Sequence, residues 1–252
     1  MMLIASFNVN SVRTRLPVLE RVLKSEEFDC FFLQETKTQD QFFPEPAFTE
    51  WGYKSYYHGE KSYNGVAALV RNDAEVSFGF EDGTFSTRVL TLRHKGLTIL
   101  NTYVPQGKSI DHPDFGVKKE FFAKVRKVIE REKDGLFLWL GDMNVAPEEI
   151  DVTHPEDKKK HVCFCGEIRK VFADTRAGLV DLLRKFHAEA GVYTFYDYRT
   201  KDAVSRGIGW RIDHMFASEA LASHARECYP CLEPRTWEKP SDHVPLIGIF
   251  EL

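Results

Sequence analysis

No apolar run in the 252 residues approaches the roughly 18 that a membrane span needs, so a helical membrane protein is excluded at the outset. Cysteine is scarce and its count is odd: Cys30, Cys163, Cys165, Cys228 and Cys231. That is no disulfide framework, and a chain this long can bury a core without one. The opening residues Met1 to Phe7 are too short for a secretory apolar region and run straight into Asn8, so we expect a reduced, cytoplasmic setting. An excess of positive charge is also missing. Lysine and arginine total 34 against 38 acidic residues, a net charge of −4. This speaks against a uniformly basic nucleic-acid binder. It does not exclude one whose carboxylates line a cation site and whose basic residues gather on one face. Proline- or glycine-rich linkers, repeats and low-complexity stretches are lacking too. Residues 1–252 therefore read as one domain of ordinary soluble composition.

Short apolar runs predict strands at Leu3–Phe7, Phe28–Leu33, Gly65–Val70, Arg88–Arg93, Leu97–Val104, Leu136–Leu140, Trp210–Ala217 and Leu246–Phe250. Apolar spacing of three and four predicts helices at Leu16–Lys24 and Phe115–Glu132, the second with Val117, Phe121, Phe122, Val125, Val128 and Ile129 on one face. Two further helices are expected near Glu167–Thr175 and Leu179–Ala190. Strands recur from end to end with helices between some of them. Sheets packed together with helices outside satisfy that order.

One pattern repeats: an apolar run ends, and a polar group suited to metal or phosphate chemistry follows. Phe7 leads to Asn8, Leu33-Gln34 to Glu35, Leu140-Gly141 to Asp142-Met143-Asn144, Ile212 to Asp213, and Ser241 to Asp242-His243. A single aspartate after a strand is usually a turn former. Together these groups offer hard oxygen ligands for Mg²⁺, a base for water, and donors for phosphoryl oxygens. That is the equipment a phosphodiesterase requires.

Six motifs then appear in order: Phe7-Asn8-Val9-Asn10, Leu33-Gln34-Glu35-Thr36-Lys37, Asn101-Thr102-Tyr103-Val104-Pro105, Gly141-Asp142-Met143-Asn144, Gly209-Trp210-Arg211-Ile212-Asp213 and Ser241-Asp242-His243. With them the chain resembles the exonuclease III family of abasic-site (AP) endonucleases, within the larger group that includes DNase I. The resemblance implies an α+β fold, a four-layer α/β/β/α sandwich of two packed, mainly antiparallel sheets. It implies Mg²⁺-dependent hydrolysis of DNA 5′ to abasic sites, with 3′–5′ exonuclease and 3′-end trimming activity on double-stranded DNA, in base excision repair. Mn²⁺ is an expected substitute, and a monomer without an obligate protein partner is expected.

The resemblance also distributes roles. Glu35 would be the main metal ligand, with Asn8 and Asp242 beside it and Asp142, Asn144 and His243 also in reach. Asp213 would orient His243, whose role as base or as cationic stabiliser stays open. Asp142 would orient or deprotonate water, Asn144 would hold a phosphoryl oxygen, and Tyr103 would be a phenol donor. The two residues Asp142 and Asn144 are expected on one side of an extended segment. Phe195, Trp210 and Ile212 would line an apolar slot for a flipped-out abasic sugar. Asn10, Arg13, Asn64 and Gln106 would meet DNA, although Asn64-Gly65 equally suits a tight turn. Arg15, Lys61, Lys108, Arg199, Lys201, Arg206 and Arg211 are candidate phosphate contacts; Lys158-Lys159-Lys160 is another, or a solvated run. Cys228-Tyr229-Pro230-Cys231 spells C-x-x-C but lacks a zinc-knuckle or redox context, and we set it aside. Two other readings compete: a phosphodiesterase for lipid or small phosphate esters, and a DNA-binding scaffold without chemistry.

Overall fold

Period-two alternation on the strands decides where everything lies. The computed structural model describes residues 1–252. In chain order the elements are β1 (Met2–Asn8), α1 (Leu16–Ser25), β2 (Cys30–Gln34), α2 (Glu45–Glu50), β3 (Lys54–His58), β4 (Val66–Val70), β5 (Glu75–Phe78), β6 (Val89–His94), β7 (Leu97–Tyr103), α3 (Pro113–Glu132), β8 (Leu136–Asp142), α4 (Gly166–Thr175), β9 (Val180–Asp181), α5 (Leu182–Phe186), β10 (Asp213–Ala217), α6 (Glu219–Ala222), β11 (Ala225–Pro230) and β12 (Leu246–Phe250).

Six strands form one sheet in the order β11-β12-β1-β2-β4-β3, and six form the other in the order β5-β6-β7-β8-β10-β9. Each sheet holds one parallel pair, β1 with β2 and β7 with β8; the remaining pairs are antiparallel. Parallel neighbours need a crossover, and α1 and α3 supply the two.

Alternate residues of the central strands face the other sheet. Ile4, Cys30, Phe32, Val66 and Ala68 of the first sheet meet Leu90, Leu92, Ile99, Leu138, Leu140 and Met215 of the second in the central core. The opposite parity faces outward. Ala5, Phe7, Phe31, Leu33 and Leu69 pack under Val18, Leu19, Val22, Leu23 and Phe48 of α1 and α2. Leu100, Phe137, Trp139 and Phe216 pack under Phe121, Phe122, Val125, Ile129, Ile168 and Phe172 of α3 and α4. The result is the α/β/β/α sandwich. At ~25 cal/mol per Å² of apolar surface, these three slabs supply the main favourable term in folding.

The structure departs from the sequence reading in four places. The strands β3, β5, β9 and β11 were not expected, and all four are sheet edges. An edge strand is half solvated and needs no apolar run; β5 alternates exposed and half-buried residues. The helix expected over 179–190 is confined to Leu182–Phe186, because Val180 and Asp181 pair with β10. The strand expected from Trp210 begins only at Asp213; Trp210 makes isolated bridges to Val152 and Phe195. On α3 the buried face includes Phe115 and Lys118, while Val117 is exposed.

Candidate active site

At one end of the space between the sheets, the inward-facing rows finish in polar side chains. Asn8 continues the row of Ile4 and Ser6, Asp142 that of Leu138 and Leu140, and Tyr103 that of Ile99 and Asn101; Asp213 opens the row of Met215 and Ala217. Below them lies a buried polar layer. Gln34 Nε2 donates to Ser6 Oγ (3.1 Å) and Asn101 Oδ1 (2.7 Å). Gly141 sets Asp142 in place: its φ is +130°, and a Cβ there would stand 2.0 Å from the Thr102 carbonyl oxygen of the neighbouring strand. Any side chain at 141 would push β8 from β7 and carry Asp142 with it.

Just past the strand ends the backbone turns into the left-handed region. Glu35 has φ 52° and Asn144 φ 50°. Alternation therefore does not govern Asn144, contrary to the expectation of an extended Asp142–Asn144 segment. A turn does instead: Asn144 N–H donates to Asp142 Oδ1 (3.0 Å), and Asn144 Nδ2 donates to the Val104 carbonyl (3.0 Å). His243 arrives on a loop before β12. Ser241 Oγ donates to the Asn8 carbonyl (2.7 Å) and accepts from His243 N–H (3.2 Å), tying this loop to β1. Thr194 Oγ1 accepts from Ile212 N–H (3.1 Å) and Asp213 N–H (3.0 Å), holding the Asp213 end of β10.

These supports bring the charged groups together. His243 Nδ1 lies 2.8 Å from Asp213 Oδ2, and its Nε2 lies 3.9 Å from Asp142 Oδ2. Asn8 Nδ2 donates to Glu35 Oε1 and Asp142 Oδ2, both at 2.9 Å. Lys37 Nζ reaches Glu35 Oε2 (2.7 Å) and Asn10 Oδ1 (2.6 Å), and Asn10 Nδ2 donates to Asp242 Oδ1 (3.0 Å). Burial, with Asp213 and Glu35 nearby, raises the Asp142 carboxyl to about 7 despite the opposing charge of His243. Burial alone would lower His243, but the Asp213 carboxylate and its hydrogen bond, then Asp142, lift it to about 10. Burial also works against the charge on Glu35; Lys37, Asn8 and His243 outweigh it and hold that carboxyl below its usual range. The Tyr103 phenol is pushed well up by burial, then by Glu35 and Asp142, and stays a donor.

A divalent cation suits this donor set. Carboxylate oxygens of Glu35 and Asp142 lie within 4.8 Å of each other and of a ring nitrogen of His243, which while protonated is a donor beside the cation rather than a ligand to it. Asn8 and Lys37 direct N–H groups at the carboxylates, where a cation would share the same oxygens. Carboxylate oxygens of this kind fit a hard divalent cation.

The cluster opens into a cavity of about 560 Å³. Glu35, Asp142, Asn144, Tyr103, Asp242, His243, Asn10 and Gln106 line its polar part; Phe195, Trp210 and Ile212 line the apolar part. Asn8 and Asp213 stand behind them. Arg13 is exposed and outside the lining, and Asn64, at φ 47°, lies in an adjoining hollow with Tyr63, Arg88 and Lys108. Among the candidate phosphate contacts, Arg199 and Lys158 reach the cavity rim. Arg211 does not: it is buried and spent on Asp151 (2.7 Å) and Asp181 (2.9 Å). Lys37, given above only as part of a motif, Cys163, given only among the cysteines, and His161 and Asp197, to which the sequence reading assigns no role, also line the cavity. Lys37 had a signal, two residues from Glu35; His161, whose ring sits 4.8 Å from Trp210, had none, because its neighbour is 49 positions away in the chain. The cysteines do not converge. Cys228 is in the central core, and Cys163 and Cys165 are under α3 and α4.

Comparison with known proteins agrees with this architecture. The model of the Endonuclease/Exonuclease/phosphatase family matches residues 5–243. Exodeoxyribonuclease III of Haemophilus influenzae is 32% identical over 98% of each chain. An AP endonuclease from Archaeoglobus fulgidus superimposes with a TM-score of 0.97 at 40% identity over the whole of both chains. The 3′ phosphatase NExo from Neisseria, solved with a product DNA hairpin, has a TM-score of 0.95 at 33% identity, again over both whole chains. With its motifs in order and its length matched end to end, the chain belongs to the endonuclease/exonuclease/phosphatase family, among the exonuclease III-type AP endonucleases.

Proposed function

We propose that this chain is a DNA-repair nuclease that hydrolyses the phosphodiester 5′ to abasic sites with Mg²⁺, and that it trims 3′ ends of duplex DNA. One observation carries the reading: a carboxylate–histidine cluster and an apolar slot share one cavity of about 560 Å³. No helix is long and apolar enough to cross a membrane. The proposal includes a single catalytic domain that works as a cytoplasmic monomer on double-stranded DNA.

Glu35, held by Asn8 and Lys37 and sharing the cavity with Asp242, would hold the cation, which would neutralise phosphate charge and the charge that develops on the departing oxygen. His243, kept protonated by Asp213, donates from Nε2 to a phosphoryl oxygen. Asp142, raised toward neutrality by burial, orients the attacking water and takes its proton. Asn144 offers its remaining amide N–H to a second phosphoryl oxygen, and Tyr103 offers its phenol beside it. Phe195, Trp210 and Ile212 accept the extruded sugar and exclude one that carries a base. Gln106 and Asn10 lie at the mouth, where the flanking backbone would run.

The test is cleavage of two duplexes, one with a single abasic analogue and one intact, with products sized on a gel. Mg²⁺ should give one cut 5′ to the lesion, and EDTA should abolish it. An abasic duplex left whole by excess enzyme would overturn the proposal.

A further inference from the structure

Lys118 occupies an inward position on α3 that its neighbours fill with apolar groups: Phe115, Phe121, Phe122 and Val125. It is fully buried, where lysine is rarely found. Its ammonium has three donors, and each meets a main-chain carbonyl: Gln106 at 3.0 Å, Asn144 at 2.8 Å and Val162 at 2.8 Å. The three carbonyls belong to three separate segments of the cavity wall. Gln106 is in the loop after β7, Asn144 in the loop after β8, and Val162 precedes the lining residue Cys163 ahead of α4. The methylene stem takes part as well. Gly107, at φ +100°, rests on it and on Phe115: a Cβ there would touch Lys118 Cδ and Phe115 Cδ2, each at 3.4 Å, so the strain of a side chain at 107 lies in the left-handed backbone of the Gln106 loop. An apolar residue at 118 would suit the helix face but strand three buried carbonyls.

We propose that Lys118 is a positioning residue: its ammonium ties the Gln106 loop, the Asn144 loop and the Val162–Cys163 wall into one unit, so that the grip on DNA and the contact to the phosphoryl group are set together. The inference rests on the roles proposed above for Gln106 and Asn144. Loosening all three segments should lower kcat through Asn144 and raise KM through Gln106 and the wall. Loosening the Gln106 arm alone should raise KM only.

Two variants of the full chain test this, Lys118→Met and Gly107→Ala. Their kcat and KM on the abasic duplex are measured well below the melting temperature, beside amide hydrogen exchange of the free protein. For Lys118→Met we expect kcat to fall about 10²-fold, the size of a misplaced catalytic contact, and KM to rise. Exchange should quicken at 104–108, 143–146 and 160–164 together, while the far end of α3 stays protected. For Gly107→Ala we expect KM to rise about tenfold with kcat within about twofold, and faster exchange at 104–108 alone. A folded Lys118→Met with parental kcat, KM and loop exchange would overturn the proposal. So would a variant that only melts earlier, since a merely structural lysine lowers stability without moving kcat or KM. Should Lys118→Met fail to fold, Gly107→Ala decides: unchanged KM and unchanged exchange at 104–108 would remove the coupling. If the parent leaves abasic DNA whole, the proposed function falls separately, and the exchange arm still judges Lys118.

Discussion

Two buried clusters of charge lie on either side of Ile212, and they differ in balance. Arg211 belongs to one, with Arg184, Asp151 and Asp181: two cations against two carboxylates. Asp213, two residues on, belongs to the other, where Glu35, Asp142, Asp213 and Asp242 face Lys37 and His243. In the first cluster Asp151 accepts from both arginines, and its carboxyl stays low because Arg211 and Arg184 outweigh burial. In the second Asp142 is pushed up by burial and like charge. A balanced cluster is a fastening. A cluster short of positive charge is one that an added cation and a substrate phosphate complete, and its residual repulsion is held in place by the surrounding fold.

That contrast can be broken, and the largest expected effect lies on the structural side. Asp151→Asn leaves the buried Arg211 and the half-buried Arg184 short of a partner and should cost about 3–5 kcal/mol in urea unfolding. Activity per folded molecule should change little; a large loss of kcat with unchanged stability would dissolve the distinction. Asp142→Asn should do the reverse. Cleavage of the abasic duplex should drop about 10²–10³-fold, while the metal-free protein melts no lower than its parent, because a penalised carboxylate has been removed. Parental cutting rates would refute the assignment of Asp142. Next in size, Mg²⁺ at a hundredfold excess over its Kd should stabilise the parent by about 2.7 kcal/mol. Thermal melts should show this shift lost in Glu35→Gln and kept in Asp181→Asn.

The smallest effect concerns His214, which follows Asp213 on β10 and points to the other face of the sheet. Its Nε2 lies 2.8 Å from the Val145 carbonyl, and burial, then Arg211, pull its pKa down to about 3. Unfolded, it titrates near its ordinary value of about 6.5. The folded form thus keeps it neutral while the unfolded form takes a proton. Stability from this group is whole above about pH 6.5 and is lost by about 1.4 kcal/mol per unit as pH falls toward 3. Urea midpoints between pH 7 and 5 should slope less in His214→Gln by that amount.

Much of this molecule was legible locally. Central strands carry apolar runs, crossover helices carry their own periodicity, and polar groups follow at strand ends. The edge strands were illegible because solvent on one side relaxes their composition. The place of Asp142 and Asp213 after apolar runs marks them as chemistry, whereas positive charge near a motif is all that makes Arg211 a candidate phosphate contact, and the structure overturns it. Nothing in Gly209-Trp210-Arg211-Ile212-Asp213 says that Arg211 turns away to Asp151 and Asp181 while Asp213 turns toward His243.

The sequence by itself determined the alternation of the strands, the six ordered motifs, and therefore the family and the identity of most groups at the cavity. Only the tertiary structure decided which charges are answered and which are left in excess, that Lys118 reaches inward to three carbonyls, and that His161 and Cys163 join the wall. The physical reason is range. Periodicity and strand ends are set by neighbours in the chain, but the role of a buried charge depends on partners brought from far along it, as His243 is to Asp213 and to Asp142.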